Sequence, residues 1–90
     1  MRRAARTDMN QPAIVGAFRD MGASVLHLHR VGEGCPDLLV GWRGADFLVE
    51  IKNGSELTDP QKRFHAEWRG RPVSIVTSVD DVLRIMGARG

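Results

Sequence analysis

The sequence predicts an α/β domain in which a mixed sheet is flanked by helices. Three observations carry that prediction. Ile14, Phe18 and Met21 recur at helical spacing near the start. Three short runs, at 23–30, 37–41 and 45–52, then read as strands, by alternation or as a short apolar run. A second helical segment, a further apolar run and a closing helical segment complete the order α-β-β-β-α-β-α. The chain has 90 residues, enough for one domain over 1–90, with residues 1–7 expected as a flexible basic arm. A domain this small buries only about 60% of its unfolded surface, so one modest core is available and a partner subunit would add to it.

The first helix is expected from about Asn10 to Met21, with Val15 and Ala17 beside the periodic positions. Asp8 or Asn10 can cap it, Pro12 suits its first turn and Gly22 ends it. In the strand from Ala23 to Arg30, Val25, His27 and His29 alternate with Leu26, Leu28 and Arg30. Gly32 and Gly34 punctuate a loop. Asp37–Gly41 and Ala45–Lys52 form a β-hairpin about a turn at Gly41-Trp42-Arg43-Gly44. Phe47, Val49 and Ile51 share one face of the returning strand, and Leu48, Glu50 and Lys52 the other. A second helix runs from about Asp59 to Arg69, with Thr58-Asp59-Pro60-Gln61 at capping-box spacing. Gln61, Phe64, His65 and Trp68 lie on its inward face. Pro72–Thr77 is a last strand, and Ser78-Val79-Asp80-Asp81 opens a short helix ending near Gly87.

Composition excludes several classes. No apolar run approaches membrane-spanning length, and no signal-peptide pattern follows Arg2 and Arg3. The single cysteine, Cys35, allows no intramolecular disulfide, and a reducing cytoplasm fits it. The pI of 9.3 is mostly an effect of the arm. Arg2, Arg3 and Arg6 hold three of the thirteen cations, and without them ten cations face eleven carboxylates. The arm could touch phosphates or be a tail that frays by default. Eleven of the thirteen cations are arginine, which suits bidentate phosphate contacts, although genome base composition could produce the same bias.

The chemistry is concentrated in Pro36-Asp37 followed by Glu50-Ile51-Lys52. Asp37 starts one hairpin strand, and Glu50 and Lys52 end the other, so the three can meet at one end of the sheet. Glu50 and Lys52 are two apart and share a face. Two carboxylates can hold a hard divalent ion such as Mg²⁺, with a backbone carbonyl such as that of Ile51 completing the set. Lysine can orient or deprotonate an attacking water, or offset charge at phosphorus. The plainer reading makes Asp37 a turn residue and Glu50 with Lys52 a solvated face.

The stretch from Val31 to Gly41, with Gly34-Cys35-Pro36-Asp37-Leu38-Leu39 at its centre, followed by Leu48-Val49-Glu50-Ile51-Lys52-Asn53-Gly54, resembles the VRR-NUC branch of the PD-(D/E)XK nucleases. Leu57-Thr58-Asp59-Pro60-Gln61, His65, Trp68 and Gly70 look like that family's next block, and Asp8, Asn10-Gln11 and Ile14-Val15 its opening helix. The resemblance covers nearly the whole chain. It implies a restriction-endonuclease-like core and a Mg²⁺- or Mn²⁺-dependent endonuclease acting on branched DNA such as Holliday junctions. It also implies a homodimer and a bacterial or phage origin. By that match Asp37 and Glu50 are metal ligands, Lys52 is the catalytic lysine, and Gln61 orders the site or contacts DNA. Many relatives carry an acid on the first helix; here Ala13 stands at that place, where Asp8 or Asn10 could substitute as an accessory group or the helix could contribute only packing, and Asn10 reads more simply as a plain N-cap.

The remaining polar residues carry less. His27, His29 and His65 lack the cysteine pair or fourth ligand that zinc would need. His29 and His65 could instead contact phosphate, as could Lys62 beside Gln61. Cys35 lacks a triad and reads as a small packed residue. Trp42 could stack on a base or cover the sheet end. The rival to the nuclease is a catalytically silent module that kept the fold for DNA binding or assembly; a structural domain with no nucleic-acid role is a third reading.

Overall fold

The computed structural model describes the backbone of residues 2–89 and the side chains of residues 10–87. The elements follow the expected order: α1 (Arg2–Asp20), β1 (Ser24–His27), β2 (Leu38–Trp42), β3 (Ala45–Ile51), α2 (Asp59–Glu67), β4 (Ser74–Val76) and α3 (Val79–Arg89). The four strands form one mixed sheet in sequence order, antiparallel from β1 to β3, with β4 parallel to β3. Among the described residues no helix is long and apolar enough to cross a membrane.

One face of the sheet carries the core. Leu38 and Val40 of β2, Phe47, Val49 and Ile51 of β3, and Val76 of β4 all bury on it. Ile14, Val15 and Phe18 of α1 and Val82 and Met86 of α3 close over them. The strand alternation therefore sorts the chain as expected: odd positions of β3 enter the core and Glu50 goes to the opposite face. Burial of such side chains stabilises by about 1.5–3 kcal/mol each, which is what fixes the register.

Two local expectations are corrected and one alternative is decided. Helix α1 starts well before Asn10, because the apolar period marks only the part that packs on the sheet. Pro12 accordingly lies inside the helix, at the cost of one backbone hydrogen bond, rather than in its first turn. Asn10 is no N-cap: its Nδ2 donates to the Thr77 carbonyl at 3.3 Å, tying α1 to the end of β4. Trp42 is half-buried against the core, and its indole N–H donates to the Met21 carbonyl at 3.0 Å, so it covers the sheet end.

The turns follow from backbone chemistry. Arg43 and Gly44 both take positive φ, 53° and 79°, the left-handed pair that matches hairpin twist. Thr58 and Gln61 form the predicted capping box on α2, with Thr58 N donating to Gln61 Oε1 at 2.9 Å and Gln61 N to Thr58 Oγ1 at 3.3 Å. Asp81 in the first turn of α3 accepts from Thr77 N and Oγ1 at 2.7 and 2.8 Å and pairs with Arg84; the Thr77 bonds first, and then Arg84, hold its carboxyl down at about 2.

Candidate active site

The loop before β2 sets the position of Asp37. Gly32, Glu33 and Gly34 are all left-handed, with φ of 77°, 57° and 78°. Gly34 approaches α2 so closely that an added Cβ would lie 2.2 Å from the Pro60 carbonyl oxygen. Only glycine permits that contact, which seats the loop on the first turn of α2. Leu28 N donates to the Asp37 carbonyl at 2.8 Å, so the β1–β2 ladder runs on to Asp37. The Asp37 side chain turns across the sheet end, where Oδ2 accepts from Ile51 N at 2.7 Å.

Glu50 lies two residues before Lys52 on the face opposite the core, beneath α2, and is only 1% exposed. Gln61 Nε2 donates to its Oε2 at 3.2 Å. Gln61 thus makes two contacts from its two ends, Oε1 on the cap and Nε2 on Glu50. Glu50 Oε1 is buried with no hydrogen-bond partner, and so is His65 Nε2, 3.6 Å away. Burial first, and then the Asp37 carboxyl as hydrogen-bond partner and as charge, push the Glu50 carboxyl up to about 8, against the pull of Lys52. Burial and then the Lys52 charge hold the His65 imidazole below its ordinary range. Asp37, Glu50 and Lys52 therefore share one neighbourhood, and the hairpin brings them there as the spacing predicts.

An orphaned, buried carboxylate oxygen beside a second carboxylate suits a cation, because a positive ion would relieve both the unmet acceptor and the mutual repulsion. Among the described residues no three His, Cys, Asp or Glu side chains converge. Two carboxylates with backbone oxygen and water match what Mg²⁺ usually takes from a protein. The donor set fits such an ion.

The other candidates separate. His65, a suggested phosphate contact, instead faces Glu50. His29 is exposed beyond the end of β1, its ring 6.4 Å from that of His27. Lys62 is exposed on α2. Ala13 is exposed, and α1 turns Asn10 to Thr77, so neither supplies an acid. The Cys35 thiol is pushed up by burial and by Glu50 and Asp37, the reverse of what a nucleophile needs. The side chains of Arg2, Arg3, Arg6 and Asp8 lie outside the described residues. Sequence reasoning missed the contact of Gly34 with Pro60 and the turn of His65 toward Glu50. The i, i+4 spacing of Gln61 and His65 was the available signal for the second.

The sequence matches no family model and no curated protein. Among solved structures, one described as a VRR-NUC domain superposes with a TM-score of 0.72 at 28% identity, covering 90% of this chain and 94% of that one. Its fold matches the α-β-β-β-α-β-α order and the four-stranded mixed sheet found here. The chain therefore shares the fold of a VRR-NUC domain, a nuclease-family fold, over 90% of its length.

Proposed function

We propose that this domain is a metal-dependent, structure-selective DNA endonuclease that hydrolyses phosphodiester bonds in branched DNA such as Holliday junctions. The observation that carries this reading is the buried Glu50, its Oε1 unmet, beside Asp37 and Lys52. Asp37, Glu50 and the Ile51 carbonyl would hold Mg²⁺ or Mn²⁺. Such an ion, when bound, polarises the phosphoryl oxygen and lowers the pKa of its water. Gln61 fixes Glu50 through Oε2 and leaves Oε1 free to face a ligand. Asp37 is held in place by the Ile51 amide. Lys52 orients or deprotonates the attacking water and offsets the charge that grows at phosphorus as the P–O bond breaks.

Two symmetric cuts at a junction call for a two-fold homodimer. The sheet face opposite the core supports that partner: α2 leaves Leu26 57% and Ile75 46% exposed on it. The setting expected for this enzyme is the cytoplasm of a bacterial or phage-infected cell.

The test is a cleavage panel of duplex, flap, splayed-arm and four-way-junction DNA with Mg²⁺ and then Mn²⁺. The parent should nick branched DNA, and Asp37→Ala and Lys52→Ala should each lose that activity by at least about a hundredfold. Parent-like cutting by both variants would refute the site. No cutting by the parent, together with no Mn²⁺ binding by calorimetry, would leave the silent DNA-binding or assembly module in its place.

A further inference from the structure

A groove of about 670 Å³ runs between α1 and the edge strand β1. Its floor is Pro12, Val15 and the bare backbone of Gly16. Its polar lining is Gln11 and Arg19 from α1, His27 from β1 and His29 just beyond it. Among the described residues no carboxylate lines it. Gln11 Nε2 lies 3.3 Å from His27 Nδ1; with the amide as donor, the imidazole keeps its proton on Nε2. The groove also borders the strand end whose backbone carries Asp37. His27 pairs with Leu38, the residue after Asp37, and the next residue, Leu28, bonds the Asp37 carbonyl. None of these groove residues takes part in holding Asp37, Glu50 or Lys52.

We propose that this groove binds a nucleotide of the DNA strand flanking the cleaved phosphate. The ligand is set by the lining. An apolar lining of Pro12, Val15 and Gly16 beside two imidazoles suits a base, which stacks whatever its sequence. An arginine with no carboxylate among the described lining residues suits a phosphate. β1 is the edge strand of the sheet, so no further strand closes that side of the groove. The inference rests on the DNA-cleaving reading but concerns binding, not the reaction.

Gly16 supplies a sharp test. A Cβ added there meets nothing within 4 Å, so a side chain can start into the groove, and Gly16→Leu supplies a large one that also favours a helix over glycine. Metal-free fluorescence anisotropy in EDTA should compare labelled dT oligonucleotide with an abasic strand of equal length. The parent should bind dT at least about fivefold more tightly than the abasic strand, the yield of stacking one base. Gly16→Leu should erase that difference while melting at or above the parent temperature. Arg19→Ala should weaken both strands alike, and Gly16→Ala, a smaller filling, should fall between Gly16→Leu and the parent. Equal binding of dT and abasic DNA by the parent overturns the proposal, and so does unchanged binding in Gly16→Leu and Arg19→Ala. Binding that changes as stated in a parent that cuts nothing would sustain the groove and reject the nuclease.

Discussion

Glu50 carries opposed demands. Its Oε2 is satisfied by Gln61, its Oε1 is not, and Asp37 adds a second carboxyl. A proton answers those demands when no cation does. Between the ordinary 4.5 and about 8, the folded chain holds a proton that the unfolded chain has released. Stability of the metal-free protein should therefore fall as pH rises through that window and level off above it. Glu50→Gln keeps the shape and cannot ionise, so it should flatten the slope and melt higher than the parent near pH 8. Thermal melts in EDTA from pH 4.5 to 9 check this, and parallel curves for parent and variant would contradict it. The acids and Lys52 were legible from the sequence because a strand fixes which residues share a face. His65 was legible only in part: its i, i+4 spacing from Gln61 put it on the inward face of α2, but which strand residue it meets depends on where α2 docks across the sheet.

At the scale of elements, the site depends on how the loop at 31–36 meets α2. Gly32 and Gly34 have nearly equal positive φ, so alanine should cost each a similar backbone penalty of about 1–2 kcal/mol. They differ in surroundings. A Cβ at Gly32 meets nothing within 4 Å, whereas at Gly34 it meets the Pro60 backbone. Gly34→Ala must push back the first turn of α2, and with it the Gln61 amide that holds Glu50. Cleavage should fall at least about tenfold in Gly34→Ala beyond any fall in Gly32→Ala, as expected when a positioning contact shifts by a fraction of an ångström. Equal activities in the two variants, measured below their melting temperatures, would show that the loop does not position α2. The two glycines read alike in the sequence as loop punctuation; only the packed structure separates them. Element order and the hairpin were readable because period and turn chemistry are local. The start of α1 was not, because the apolar period stops where the sheet contact stops.

At the scale of the whole molecule, charge is unevenly divided along the chain. The net charge is +2, yet the sequence without Arg2, Arg3 and Arg6 carries −1. A body so close to neutral draws little on long-range attraction, so non-specific affinity for DNA should depend on those three arginines. On duplex DNA, every phosphate that a side chain neutralises adds about 0.9 to the salt slope of log affinity. Replacing all three arginines with alanine should reduce the slope by up to about 2.7. Between about 50 and 200 mM salt the parent should then weaken about 40-fold more than the variant. Anisotropy titrations in EDTA at several salt concentrations measure this directly, free of any cleavage. The groove beside β1 makes a contrasting claim, because an apolar floor holds a base by stacking and should respond weakly to salt. A slope unchanged by the triple substitution would mean that the arm does not touch phosphate, and would leave Arg19 and the other arginines of the body to supply the electrostatic share of binding.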